Sequence, residues 1–201
     1  MSNSDINKKP RTVLFYGMSG AGKGTQARLL VDKLQQKRGT HFIEVGQMLR
    51  DYAANAGTYG ALKVRETIDG GNLVPPSISA YLWSSKLLKS IRAKDNVVFD
   101  GAARSIDEAK LFDKTLKWLG RDYSIFILEI DGETARDRAI ARGEDRVDDT
   151  DEAMQKRLAW FKNDTMPAID YMSEQGADVY HIDGGKSIDE VHAEILAKLD
   201  L

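Results

Sequence analysis

Two stretches of this chain, Val13-Leu14-Phe15-Tyr16 and Val97-Val98-Phe99, are apolar without alternation, the pattern of strands covered on both faces in a parallel sheet. Elsewhere the apolar positions recur at helical spacing. Ala27, Leu30, Val31 and Leu34 fall at i, i+3, i+4 and i+7, and predict a first helix that Gly39 ends after Lys37-Arg38, cations suited to a helix's negative end. A short strand over 41–45 follows. Pro75-Pro76 open a helix carrying Ile78, Tyr81, Leu82, Leu88 and Ile91, since proline's fixed φ suits a first turn. Ser105 and Glu108 have the S-x-x-E spacing of a capping box, and Leu111, Phe112, Thr115 and Leu119 carry that helix to Gly120. Beyond it the pattern predicts a strand over 124–130, a helix over 134–141 and a short charged loop over 143–149. A longer helix with Met154, Leu158 and Phe161 then breaks near Pro167. A last strand over 179–182 leads to an amphipathic helix with Ile188, Val191, Ile195 and Leu199, opened by a second S-x-x-E pair, Ser187 and Glu190.

Five strands alternating with helices argue for an α/β fold of three layers, with a five-stranded parallel sheet, right-handed crossovers and a ligand at the strands' carboxyl ends. One segment breaks the rhythm. From residue 46 to 73 small residues dominate, with helical patches over 48–54 and 61–68 and with Gly57, Gly60, Gly70 and Gly71 as punctuation, which reads as a mobile helical insertion.

Composition narrows the picture. A chain of 201 residues fits one domain with small insertions. A net charge of −2 argues against nucleic acid or an anionic membrane as partner, so any basic site must be local. Zero cysteines exclude disulfides, thiolate-held zinc and a cysteine nucleophile, and His41, His181 and His192 are too dispersed for a metal motif. The polar first ten residues predict a disordered tail, and no stretch has the apolar length of a bilayer span. A cytoplasmic protein is the expectation.

Candidate chemistry concentrates in Gly17-Met18-Ser19-Gly20-Ala21-Gly22-Lys23-Gly24-Thr25, placed between the first strand and the first helix. Its glycines allow a tight loop whose N–H groups point inward, and the following helix aims its positive end at the same cavity, so an anion belongs there. Lys23 adds a point charge for outer phosphates, and the Thr25 hydroxyl is the candidate for holding magnesium directly or through water. The hydroxyl falls one residue later than in the strict G-x-x-x-x-G-K-[ST] pattern, because Gly24 intervenes. Arginines recur where the fold places loops near the carboxyl edge: Arg50, Arg104, Arg138, Arg142, Arg146 and Arg157. Arginine forks can align two phosphate-bearing substrates and neutralise a transferring charge, which is most of what phosphoryl transfer needs.

Over nearly its full length the set resembles the nucleoside-monophosphate kinases, in particular adenylate kinase of the short-lid type. The stretch 17–27 resembles that family's phosphate loop, including its Lys-Gly-Thr order. Gly46-Gln47-Met48-Leu49-Arg50 and Gly71-Asn72-Leu73-Val74-Pro75 resemble the start and end of its monophosphate-binding insertion. Asp100-Gly101-Ala102-Ala103-Arg104 stands where the family has Asp-Gly-Phe-Pro-Arg, and Arg138, Arg142, Arg146, Asp148, Asp149 and Arg157 follow its order.

The resemblance implies one three-layer P-loop kinase domain over 1–201, with core segments 11–45, 74–142 and 148–201, a monophosphate-binding insertion 46–73 and a lid of 143–147. ATP would be held by Gly20, Ala21, Gly22, Lys23, Gly24, Thr25, Arg138, Arg142 and Lys186, with Arg138 on the adenine. The monophosphate would meet Val45, Gly46, Arg50, Asn72, Val74, Gly101, Arg104 and Glu108. Lys23, Arg104, Arg142, Arg146 and Arg157 would carry catalysis, with Thr25 and Asp100 toward Mg2+. Asp148 and Asp149 would hold the lid arginines; Asp100 is otherwise a turn-forming aspartate, and Asp149 otherwise a plain N-cap. The departures cluster on the acceptor side: Val45 for a small hydroxyl residue, Gln47 for an acidic one, Ala102-Ala103 for Phe-Pro and Glu108 for the glutamine that reads adenine. Glu108 therefore either touches the acceptor base or turns back to cap its helix. The expected reaction is ATP + AMP = 2 ADP by a monomer. The alternatives are a kinase for GMP, CMP or UMP, a kinase for a non-nucleotide metabolite, and a nucleotide-binding regulator with a degraded acceptor site. Arg50 and Arg104, both present, speak against the last two.

Overall fold

A computed structural model of the chain describes residues 9–55, 57–141 and 151–201. Five strands, β1 (Thr12–Gly17), β2 (Thr40–Glu44), β3 (Asn96–Asp100), β4 (Ser124–Glu129) and β5 (Asp178–Asp183), form one sheet in the order β2-β3-β1-β4-β5. Every pairing is parallel, with Leu14 opposite Phe99 on one side and Ile125 on the other.

Helices are α1 (Lys23–Gln35), α2 (Val45–Ala54), α3 (Tyr59–Asp69), α4 (Pro76–Ser90), α5 (Ile106–Trp118), α6 (Gly132–Ala141), α7 (Asp151–Trp160), α8 (Met166–Glu174) and α9 (Ile188–Lys198). Alternation along each strand divides the core in two. Val13, Phe15, Val98, Phe126 and Ile182 face α1 and α9, while Leu14, Tyr16, Phe99, Ile125 and Ile127 face α4, α5 and α8. Trp83, Phe99 and Phe112 meet edge to face at the centre of the second layer, with the Phe99 and Phe112 ring centroids 5.0 Å apart. Because the helix after β1 covers one face and the helix after β3 the other, a crevice opens between the carboxyl ends of these neighbouring strands. A third, smaller cluster of Ala53, Val64 and Val74 holds α2 and α3 together over that edge.

Several expectations are corrected here. Val45 does not end β2; it is the first residue of α2. The first helix ends at Gln35, well before Gly39. On α4 the buried stripe is Ser79, Trp83 and Leu87, whereas Tyr81 and Leu88 are 64% and 57% exposed. On α5 Glu108, Ala109, Phe112 and Leu116 go inward while Leu111 and Leu119 do not. Both stripes contain a polar residue, Ser79 or Glu108, so apolar spacing alone points to the wrong face. The Ser187–Glu190 capping box is reciprocal as expected. At Ser105 only half forms: its hydroxyl accepts from Glu108 N at 3.4 Å, but the Glu108 carboxylate bonds elsewhere. The break near Pro167 is a π turn, Phe161–Thr165, between α7 and α8. Such a turn widens the ladder just where the proline ring would press on the preceding turn. His41, His181 and His192 pair with Asp95, Glu129 and Gln26. Among the described residues no helix is long and apolar enough to cross a membrane.

Candidate active site

A cleft of about 1470 Å³ opens at the carboxyl edge of the sheet. Its floor is the loop after β1. Gly17, Gly20 and Gly22 adopt φ of 143°, 87° and 87°, a region closed to most side chains. At Gly20 a Cβ would also run into the Ala135 carbonyl. Gly22 precedes α1 with no side chain to cap it, which leaves the helix's first N–H groups facing the cleft. Lys23 Nζ donates to the Met18 carbonyl at 2.9 Å, laying the ammonium along the loop that it closes.

Beside this loop the cleft is completed by Arg138 and Lys186. Arg138 Nη1 donates to the Gly184 carbonyl at 2.7 Å and Nη2 to the Gly185 carbonyl at 3.3 Å, so α6 braces the loop between β5 and α9. Lys186 on that loop pairs with Glu194 at 2.9 Å, which raises its pKa.

The other end is built around two arginines. Arg50 on α2 donates to Gln47 Oε1 from Nε at 3.1 Å and from Nη2 at 2.8 Å. Its Nη2 is also 3.6 Å from Glu44, which in turn binds Arg28 at 3.0 Å. Gln47 thus orients the guanidinium without adding a charge. Arg104 follows β3 through Gly101, whose φ is 81°, and lies so close over it that any Cβ there would meet the guanidinium. The Arg104 guanidinium carbon is 5.3 Å from the centroid of the Trp160 ring. Ala102 and Ala103 fill the turn between Gly101 and Arg104. Tyr16 Oη donates to the Ala102 carbonyl at 2.7 Å and the Ala103 carbonyl at 3.2 Å, and Ala103 takes a left-handed φ of 53°. Burial, and then the charge of Glu108, hold the Tyr16 pKa well above the ordinary phenol value.

Glu108 is buried at the wall of the cleft. Its Oε1 accepts from Ser79 Oγ at 2.6 Å and Trp83 Nε1 at 3.0 Å, and its Oε2 from Arg104 N at 3.2 Å. Three donors explain how a carboxylate is tolerated there.

Every site residue expected from the sequence that lies among the described residues lines this one cleft: Gly20, Ala21, Gly22, Lys23, Gly24, Thr25, Val45, Gly46, Arg50, Asn72, Val74, Asp100, Gly101, Arg104, Glu108, Arg138, Arg157 and Lys186. Arg142, Arg146, Asp148, Asp149 and the expected lid 143–147 lie outside the described residues. Glu44, Ser79, Trp160 and Thr165 also line it and were missed. For Glu44 the signal was available, an acid at the carboxyl end of a predicted strand.

A phosphate loop and an arginine pair facing each other across one cleft is the arrangement of an enzyme that moves phosphate between two substrates, and comparison with known proteins agrees. The family model described as adenylate kinase matches residues 15–177. The chain belongs to the adenylate kinase family. It is 35% identical over 191 residues to an adenylate kinase of Maricaulis maris, covering 94% of this chain and 98% of that one. It is 34% identical over 197 residues to an adenylate kinase of Deinococcus deserti, covering 92% and 95%. A UMP-CMP kinase of Rattus norvegicus is 31% identical over 198 residues, covering 96% and 98%. The protein is therefore a nucleoside-monophosphate kinase, a phosphotransferase of this family.

Adenylate kinase-like transfer generally uses magnesium, and the donor set here suits it. Among the described residues no three His, Cys, Asp or Glu side chains gather as a metal cage, yet Thr25 and Asp100 both line the cleft. One or two oxygen ligands plus substrate phosphates and water is how Mg2+ is commonly held.

Proposed function

We propose that this kinase transfers the γ-phosphate of ATP to AMP reversibly, in the cytoplasm and as a monomer. One observation carries the reading. The cleft, at about 1470 Å³, exceeds the roughly 300–1,000 Å³ of a site for one drug-sized ligand, and its two ends carry phosphate-binding groups of different construction. In this reading the glycine loop, Gly20 to Thr25, takes the ATP phosphates on the α1 N-terminus, Lys23 neutralises the transferring group, and Arg138 and Lys186 flank the adenine. Arg50 and Arg104 hold the acceptor phosphate in line, with Val45, Gly46, Asn72, Val74 and Gly101 around the nucleoside. Arg157, carried on α7 at the cleft wall, acts on the moving phosphate, and the resemblance assigns Arg142 and Arg146 the same task. Bound magnesium, held through Thr25 and Asp100, would supply charge neutralisation on the phosphate oxygens. The protein's own part is alignment and exclusion of water, without which ATP would be hydrolysed.

The residues 46–73, α2 and α3 among them, serve as the acceptor-binding insertion in this reading, and 143–147 as the lid. A second reading, another monophosphate as acceptor, turns on Glu108, which lines the cleft although its carboxylate already accepts from Ser79, Trp83 and the Arg104 N–H. An ionised carboxylate only accepts hydrogen bonds, so it suits an exocyclic amine or the N1–H of guanine and opposes the bare N1 of adenine. A coupled assay of AMP, GMP, CMP and UMP with Mg2+-ATP decides. AMP should give the highest kcat/KM, and a clear preference for another base would replace it. Turnover of none of the four would overturn the assignment of the acceptor end.

A further inference from the structure

Arg104 is held from three directions, and only one of the three reaches its charged end. Its N–H donates to Glu108, its carbonyl accepts from Thr165 Oγ1 at 3.2 Å, and its guanidinium lies against the face of Trp160. We propose that Trp160 is a positioning residue for the acceptor phosphate, acting by holding the Arg104 guanidinium against its indole face while its N–H ties that face to the exit of α3.

The indole is itself fixed. Trp160 Nε1 donates to the Gly71 carbonyl at 3.1 Å, a bond spanning from α7 to the turn after α3. An indole has one donor and two χ angles, so a single hydrogen bond with half-burial fixes the plane of the ring. The face it turns to Arg104 carries negative quadrupole density, which attracts a guanidinium and leaves its edge N–H groups free to bind an anion. Without that face a long arginine side chain must lose its rotamer freedom when the phosphate arrives.

Local structure supports a built position. Trp160 is the last residue of α7, and the π turn Phe161–Thr165 follows at once. The extra residue in that turn lets two side chains five apart, Trp160 and Thr165, address the same residue, Trp160 from beside the guanidinium and Thr165 from below its backbone. π turns are frequent at functional sites. Trp160 also joins two parts of the cleft lining, since α7 carries Arg157 and the indole N–H reaches Gly71, both of which line the cleft.

The proposal rests on Arg104 being an acceptor-phosphate ligand, so the acceptor used in the test is whichever monophosphate the parent turns over fastest. A wrong choice of AMP then shows in the parent, and a wrong role for Trp160 shows only in the variants. Trp160→Leu should raise acceptor KM about three- to tenfold, the size of a half-buried cation–π contact, with ATP KM within about twofold. Trp160→Phe keeps an aromatic face and should recover most of the loss. Calorimetric acceptor Kd in Trp160→Met, Arg104→Ala and the double variant closes the cycle: the Met penalty should shrink when the Arg104 guanidinium is gone. An unchanged acceptor KM in Trp160→Leu would overturn the proposal. So would a rise in both KM values that Phe does not relieve, or additive Kd penalties in the cycle, which also decides the matter if the Leu variant does not fold.

Discussion

Ser79 Oγ donates to Glu108 Oε1 at 2.6 Å across the contact between α4 and α5. The same oxygen receives Trp83 Nε1, and the other receives the N–H of Arg104. All three partners are donors, which fits a carboxylate at every position and an amide at only some. Glu108→Gln must aim its NH2 either at the Arg104 N–H or at Ser79 and Trp83. A buried mismatch of donors costs about 1–3 kcal/mol, which for a chain of this size corresponds to a fall in Tm of roughly 2–12 °C. Calorimetric melting of parent and variant checks it. An equal or higher Tm would mean that the carboxylate is not held as the structure has it.

The glutamate's surroundings also explain what the sequence conveyed and what it hid. The strands were legible because Val13 to Tyr16 and Val97 to Phe99 are buried on both faces, and continuous apolarity has few other causes. The loop at 17–25 was legible because glycine at positive φ and a lysine beside a helix start leave a local trace. The faces of α4 and α5 were not. Their stripes run through Ser79 and Glu108, whose burial rests on their mutual bond and on the further donors Trp83 Nε1 and Arg104 N at Glu108, and the Ser79–Glu108 partnership spans 29 residues. Ser105-x-x-Glu108 looked like a closed capping box for the same reason: local spacing proposed a local partner, and tertiary partners won. Trp160 was silent because its meaning depends on Gly71 and Arg104, neither of them near in sequence.

Lys23 is set at the end of the glycine loop, with its ammonium on the Met18 carbonyl. Removing one preorganised charge from a transferring phosphate costs about 100-fold or more in turnover. Lys23→Ala should therefore lower kcat by about that factor while far-ultraviolet circular dichroism stays that of the parent. Near-normal kcat in a folded variant would remove Lys23 from the catalytic set.

Tyr16 closes the buried turn that carries Arg104, through its bonds to Ala102 and Ala103. Tyr16→Phe leaves those carbonyls without the hydroxyl, at a cost of about 1–3 kcal/mol, and adds a pH signature. The folded phenol's pKa is raised well above the ordinary phenol value of about 10, by burial first. Above pH 10 the unfolded chain therefore releases a proton that the folded chain keeps. Stability conferred below that pH is lost as pH rises toward the folded value. Denaturant melts between pH 9 and 11 should show the parent losing stability more steeply than Tyr16→Phe, and parallel slopes would refute the assignment.

Gly101 and Gly176 separate strain from collision. Both hold positive φ, 81° and 102°, so alanine at either pays about 1–2 kcal/mol for the left-handed backbone. Only Gly101 also has a neighbour in the way: an added Cβ would meet the Arg104 guanidinium, whereas at Gly176 nothing lies within 4 Å. Flexible arginine can yield to a methyl group, and in yielding it leaves the place where it would meet the acceptor phosphate. Gly176→Ala should lower Tm and leave both KM values within about twofold of the parent. Gly101→Ala should lower Tm by a similar amount and also raise acceptor KM, by about tenfold if one charged phosphate contact is displaced. Steady-state kinetics of the two variants beside their melting curves makes the comparison. Equal kinetic effects from both would show that backbone strain alone governs the site, and no acceptor effect at Gly101 would show that Arg104 reaches its ligand from more than one position.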